Sequence, residues 1–112
     1  MKVIAPLSED RKLTLVLRVE SGCLGPDGSN HIEDFCPAAQ TEMKKINSDF
    51  INWEVLPRFD RRLPEIQYKA ANKTLTHEQA KKYLALFDTK IDEFEEYVND
   101  KLTTLIEQYL GH

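Results

Sequence analysis

Hydrophobic and polar residues alternate with different periods along this chain, and the changes of period mark its elements. Leu13-Thr14-Leu15-Val16-Leu17-Arg18-Val19 is almost continuously apolar, the pattern of a central strand covered on both faces. Between Ser21 and Asn30 stand Gly22, Gly25, Pro26 and Gly28, which predict a loop. Over 50–56, Ile51, Trp53 and Val55 alternate with Asn52 and Glu54 as a second strand. With a helix between them, the two strands are expected to run parallel through a right-handed crossover. Ile66, Tyr68 and Ala70 alternate with Gln67 and Lys69 as a third strand. Ala71-Asn72 then turns the chain into a very short fourth strand, Lys73-Thr74-Leu75.

Three helices complete the pattern. The first has two competing starts. Asn30 with Glu33 has capping-box character, but it would leave Pro37 inside the helix, where proline costs about 3 kcal/mol. Cys36 as N-cap puts Pro37 at the first helical position, where proline is favoured. The second start is preferred, giving a helix over 36–47 with Ala39, Met43 and Ile46 facing inward. Thr76 with Gln79 forms a second capping box and opens a helix over 77–87 with Ala80, Tyr83, Leu84 and Phe87 on one side. Asp88 reads as the N-cap of a last helix, 89–110, which packs through Phe94, Val98, Leu102 and Leu105 at a 3.6-residue period. Tyr97 and Leu110 fall beside that stripe, which admits a weak homodimer as well as a monomer.

Composition narrows the class. At 112 residues, 41% hydrophobic and 30% charged, the chain reads as one globular domain over 1–112, with a polar lead-in at 1–11. Its net charge of −4 disfavours nucleic acid and anionic membranes as partners. No apolar run approaches the roughly 20 residues of a membrane span, and no secretory segment opens the chain. The expected location is cytoplasmic. Cys23 and Cys36 do not make a disulfide framework for a chain of this size, so both are expected as free thiols.

Cys36-Pro37 is the sharpest chemical signal. A thiol at a helix N-terminus meets unpaired N–H groups and the positive end of the helix dipole, and both lower its pKa toward a reactive thiolate. The competing reading is a buried structural cysteine. Arg58, Arg61 and Arg62 form a short basic connection that could receive a carboxylate or merely line a solvated turn. The glycine loop fits neither the dinucleotide fingerprint nor the P-loop. His31, His77 and His112 have no ligand spacing with each other or with the cysteines, so no metal site is expected. Trp53 and the aromatics at 83, 87, 94 and 109 read as core.

Leu63-Pro64, a strand, a tight turn, a short strand and a capped helix, in that order, resemble the second half of the thioredoxin-like, glutathione-binding domain of glutaredoxins and glutathione transferases. Phe35-Cys36-Pro37-Ala38-Ala39 is similar to the opening of that fold's active-site helix, with Ala39 in place of the second cysteine of Cys-Pro-x-Cys. The resemblance implies a cis bond before Pro64, with the preceding backbone presented to substrate near Cys36. It also implies Arg58, Arg61 and Arg62 at the rim of the thiol site. Ala39 excludes a dithiol cycle and leaves a monothiol cycle through glutathione open. Residues 57–63 have no room for the family's second helix. The whole chain also resembles small gammaproteobacterial proteins, which adds no function.

The expected fold is therefore α+β, a single mixed four-stranded sheet with three helices, thioredoxin-like. Two functions stand. One is a non-catalytic interaction or regulatory protein with a protein partner. The alternative is a monothiol glutaredoxin-like or glutathione-binding protein that uses Cys36 as its catalytic residue, with Pro64, Arg58, Arg61 and Arg62 holding substrate. No cofactor is expected beyond glutathione itself.

Overall fold

The computed structural model describes residues 12–111; the lead-in at 1–11 and His112 lie outside the described residues. Four strands, β1 (Leu13–Val19), β2 (Ile51–Pro57), β3 (Ile66–Ala70) and β4 (Lys73–Thr74), form one sheet in the order β2-β1-β3-β4. β1 is interior and parallel to β2, with Leu15 opposite Trp53. It is antiparallel to β3, with Leu15 opposite Tyr68, and β3 pairs antiparallel with β4. The α+β class and the mixed four-stranded sheet are as the alternation predicts.

Period-two alternation sends Leu13, Leu15, Leu17, Ile51, Trp53 and Tyr68 to the same face of this sheet. There they join a single buried cluster. The helices α1 (Gly28–Met43), α2 (His77–Ala85) and α3 (Ile91–Leu110) all contribute their buried residues to that cluster. Val16, also buried, lies outside it on the opposite face, among the polar residues Thr14, Arg18, Asn52, Glu54, Gln67 and Lys69. A Lys69–Glu54 ion pair at 3.8 Å spans that face. No helix forms among residues 58–65, so the described residues make two layers, sheet and helices.

The first helix is longer than the local signals suggest. It begins at Gly28, not at Pro37, and ends at Met43, so Pro37 lies in its interior. Burial decides the competition. Ile32 and Phe35 are each 1% exposed, and burying a side chain of that size is worth about 1.5–3 kcal/mol. Together they outweigh the roughly 3 kcal/mol of an interior proline. Glu33, whose carbonyl loses its intrahelical donor to the proline, belongs to an exposed residue and can be wetted. Before this helix, Ser21–Leu24 forms one 3-10 turn. Gly28 fits beneath it so closely that a Cβ atom there would stand 1.7 Å from the Ser21 carbonyl oxygen.

The Thr76–Gln79 capping box forms with both hydrogen bonds in place. The helix it opens stops at Ala85, two residues before the expected end. Asp88 is not a helix N-cap. Its φ of 55° is left-handed, and the N–H of Thr89 returns to the Leu84 carbonyl at 3.0 Å, which closes the end of α2. The last helix starts at Ile91. Phe94, Val98 and Leu105 are buried as expected, while Leu102 and Ile106 are half-buried against the cluster. Tyr68 donates to Glu95 Oε2 at 2.8 Å, tying α3 to the sheet; burial first, then Glu95, pushes its phenol well above the usual range.

Candidate functional site

The sequence singles out a thiol, a proline and three arginines. Cys36 sits in mid-helix between Phe35 and Pro37, 3% exposed. It therefore lacks the free N–H groups and dipole end that would activate it. Burial instead pushes its thiol up to about 11. The Cys36-at-N-terminus expectation is corrected. The helix runs two turns further back because Ile32 and Phe35 need covering.

The bond before Pro64 is trans; no cis peptide occurs among the described residues. Nor is the backbone beside it offered to a ligand. The Leu63 N–H donates to the Asp60 carbonyl at 3.1 Å, and the Leu63 carbonyl accepts from Arg58 Nε at 3.0 Å. The Pro64 carbonyl accepts from the Arg18 guanidinium at 3.0 Å. In the family the sequence resembles, the residue before this proline pairs with substrate. Here both polar groups of that residue are already paired.

Arg58 is the centre of this arrangement. Its guanidinium donates to the Leu63 carbonyl, to the Arg61 carbonyl at 3.1 Å and to the Glu20 carboxylate. Its own N–H continues the ladder to the Val19 carbonyl at 2.8 Å. The side chain is only 15% exposed. A planar fork with five donors suits this task, and it folds residues 58–63 into a closed loop. Arg62 is exposed and chelates Asp60, donating from Nε at 3.1 Å and from a terminal nitrogen at 3.1 Å. That contact holds the Asp60 carboxyl below its usual range. Arg61 is exposed. The structure thus turns Arg58 inward and leaves Arg61 and Arg62 on the outside of the loop.

A groove of about 440 Å³ runs between α1 and the carboxyl end of β2, lined chiefly by Cys36, Pro37, Val55, Leu56, Pro57 and Phe59. Its outer wall is apolar and open. Phe59 is 74% exposed and Leu56 41%, and Leu63 is exposed nearby in sequence. A larger cleft of about 620 Å³ lies between the end of α1 and the start of α3. Two of its lysines are already matched by acids, Lys45 with Glu42 at 3.0 Å and Lys90 with Glu93 at 3.8 Å.

Sequence reasoning gave Gln40 no role. It projects from α1 onto β2, where its Nε2 donates to the Trp53 carbonyl at 2.5 Å and its Oε1 accepts from the Val55 N–H at 2.7 Å. The indole Nε1 of Trp53 donates to the Ile46 carbonyl at 2.9 Å. Only a helix-spaced polar residue at the margin of the apolar stripe hinted at it. Among the described residues no cluster of His, Cys, Asp and Glu could hold a metal ion, and no helix is long and apolar enough to cross a membrane. Compared with known proteins, the chain matches no protein-family model, no curated protein and no solved structure.

Proposed function

We propose that this chain is a thioredoxin-like scaffold acting in the cytoplasm as a non-catalytic interaction or regulatory protein. One observation carries the reading. The thiol that would do the chemistry is enclosed in mid-helix and pushed up to about 11, whereas a reactive thiol has its pKa lowered at a helix terminus. The engagement of both Leu63 backbone groups within the chain points the same way. The β1–helix–β2 unit, the hairpin and the capped helix support the thioredoxin-like likeness. The trans bond at Pro64 and the single helical layer are departures from it. Leu56, Phe59 and Leu63 supply exposed apolar area of the kind a protein partner covers.

The monothiol reading keeps one observation in its favour, since Cys36 forms part of the wall of an open groove. Thiol–disulfide exchange separates the two. Oxidised glutathione would be added to the folded Cys23→Ser protein and the intact mass followed. Exchange would join the Cys36 sulfur to one glutathione and release the other as free thiol. The expected result is no adduct until denaturant is present. Rapid adduct formation on the folded protein would overturn the non-catalytic reading and restore Cys36 as a nucleophile.

A further inference from the structure

We propose that the outer edge of β2 is a latent pairing surface for a second copy of this chain, held closed by the carboxamide of Gln40. Both edges of an open sheet present unpaired N–H and C=O groups that can template another strand. Among the described residues β2 is one such edge, seven residues long. The Leu13 N–H bonds the Phe50 carbonyl at 3.0 Å and the Arg58 N–H bonds the Val19 carbonyl at 2.8 Å. The even-numbered residues of β2 therefore face β1, and the backbone groups of Ile51, Trp53, Val55 and Pro57 face outward.

Each of those four outward positions carries a device that blunts it. The Ile51 N–H is taken by the Asn47 carbonyl at 2.9 Å. Gln40 takes the Trp53 carbonyl and the Val55 N–H together. Pro57 has no N–H to offer. The carboxamide offers an oxygen that accepts from the Val55 N–H and one of its two N–H donors to the Trp53 carbonyl, so Gln40 satisfies two groups that a neighbouring strand would otherwise bond. It is made by a side chain from outside the strand, so a point mutation can lift it without altering β2 itself.

The occupant that fits the exposed edge is the same strand of another copy. A two-fold axis through Trp53 sets Ile51 against Val55 and Asn52 against Glu54, so no like charges meet across the pair, and Pro57 bounds the register. Apolar Val55 and Leu56 would continue into the open groove beside it. This inference concerns self-association and does not depend on whether Cys36 is reactive.

The test uses Gln40→Met, which keeps the length and helix preference of the side chain, with Gln40→Ala beside it. Sedimentation equilibrium and amide hydrogen exchange would be followed across a concentration series, with wild type alongside. Wild type is expected to stay monomeric with a protected Val55 amide. In the dilute folded variants that amide should exchange about tenfold faster. As concentration rises the variants should dimerise, and Val55 should regain protection. The inference is overturned if a folded variant stays monomeric throughout, or dimerises with Val55 still unprotected. Wild type already pairing through this edge would overturn it too. So would loss of the fold in both variants, because Gln40 would then be a core packing residue.

Discussion

If Cys36 is a structural thiol, its chemistry should be that of a buried sulfur throughout the accessible pH range. Burial raises it from an ordinary 9.0 to about 11. At any pH below both values it therefore carries about a hundredfold less thiolate than an unperturbed cysteine. The perturbation is to leave one thiol at a time, Cys23→Ser for Cys36 and Cys36→Ala for Cys23, and to measure alkylation rate against pH. Cys23 is exposed and serves as the reference. Cys36 should react at least about a hundredfold more slowly at neutral pH, with the two rates converging once denaturant unfolds the chain.

Stability should report the same shift. The folded state keeps the Cys36 proton to about 11, whereas the unfolded chain releases it near 9. The contribution is therefore intact below about 9 and is lost as pH rises through about 11, amounting to about 2–3 kcal/mol for a two-unit shift. Wild type should lose that much relative to Cys36→Ala across this window, a comparison in which the titration of lysines and tyrosines cancels. Alkylation of Cys36 as fast as Cys23 in the folded protein would refute the reasoning. A stability difference flat with pH would do the same.

Three further variants probe the backbone. Gly28→Ala places a Cβ 1.7 Å from the Ser21 oxygen and 2.6 Å from the Ser21 carbonyl carbon, so the 3-10 turn must move; it should lower stability by about 2 kcal/mol or more. Gly22→Ala meets nothing within 4 Å and should be neutral or slightly stabilising; equal denaturation midpoints for the two variants would contradict the packing. The hairpin turn holds Ala71 at φ 52° and Asn72 at φ 65°, the type I′ geometry that Asn-Gly favours. Ala71→Asn with Asn72→Gly should therefore stabilise by about 1 kcal/mol, read as a raised thermal midpoint. An unchanged midpoint would mean that the turn is not strained.

Those parts of the fold were legible whose cause is local. The alternation of Ile51, Trp53 and Val55 needs only the period of a strand, and the Thr76–Gln79 box needs only four residues. The hairpin at Ala71-Asn72 follows from two alternating runs separated by two residues. Where a local rule competes with a tertiary one, the local rule misleads. Pro37 looks like a helix start because proline suits that position, but Ile32 and Phe35 bury their side chains only if the helix continues back to Gly28. Asp88 looks like a helix start because aspartate caps well. The chain needs a left-handed residue there to leave α2, and aspartate serves that purpose too.

The candidate site was less legible, for a reason that Arg58 and Gln40 share. A polar residue in a loop or on a helix margin reads as a solvent or ligand contact, since its partners in a ligand would be carboxylates, carbonyls or amides. Those same groups exist in the chain's own backbone. Arg58 finds them three and five residues ahead, at Arg61 and Leu63, and 38 residues back in Glu20. Gln40 finds them 13 and 15 residues ahead on β2. No spacing rule encodes such partners, because the fold brings them together and a single substitution at either end leaves the pattern unchanged. The consequence for function is directional. A donor fork already bound to two carbonyls and a carboxylate has little left for a glutathione carboxylate, so Arg58 holds the loop together while Arg61 and Arg62 stay on its outside. What this closure leaves facing outward beside the groove is apolar, Leu56 and Phe59, and apolar side chains recognise surfaces by area and not by chemistry. The proposal of an interaction protein rests on that order of events at Arg58 and Leu63, whose polar groups are engaged by the chain's own backbone and by Glu20.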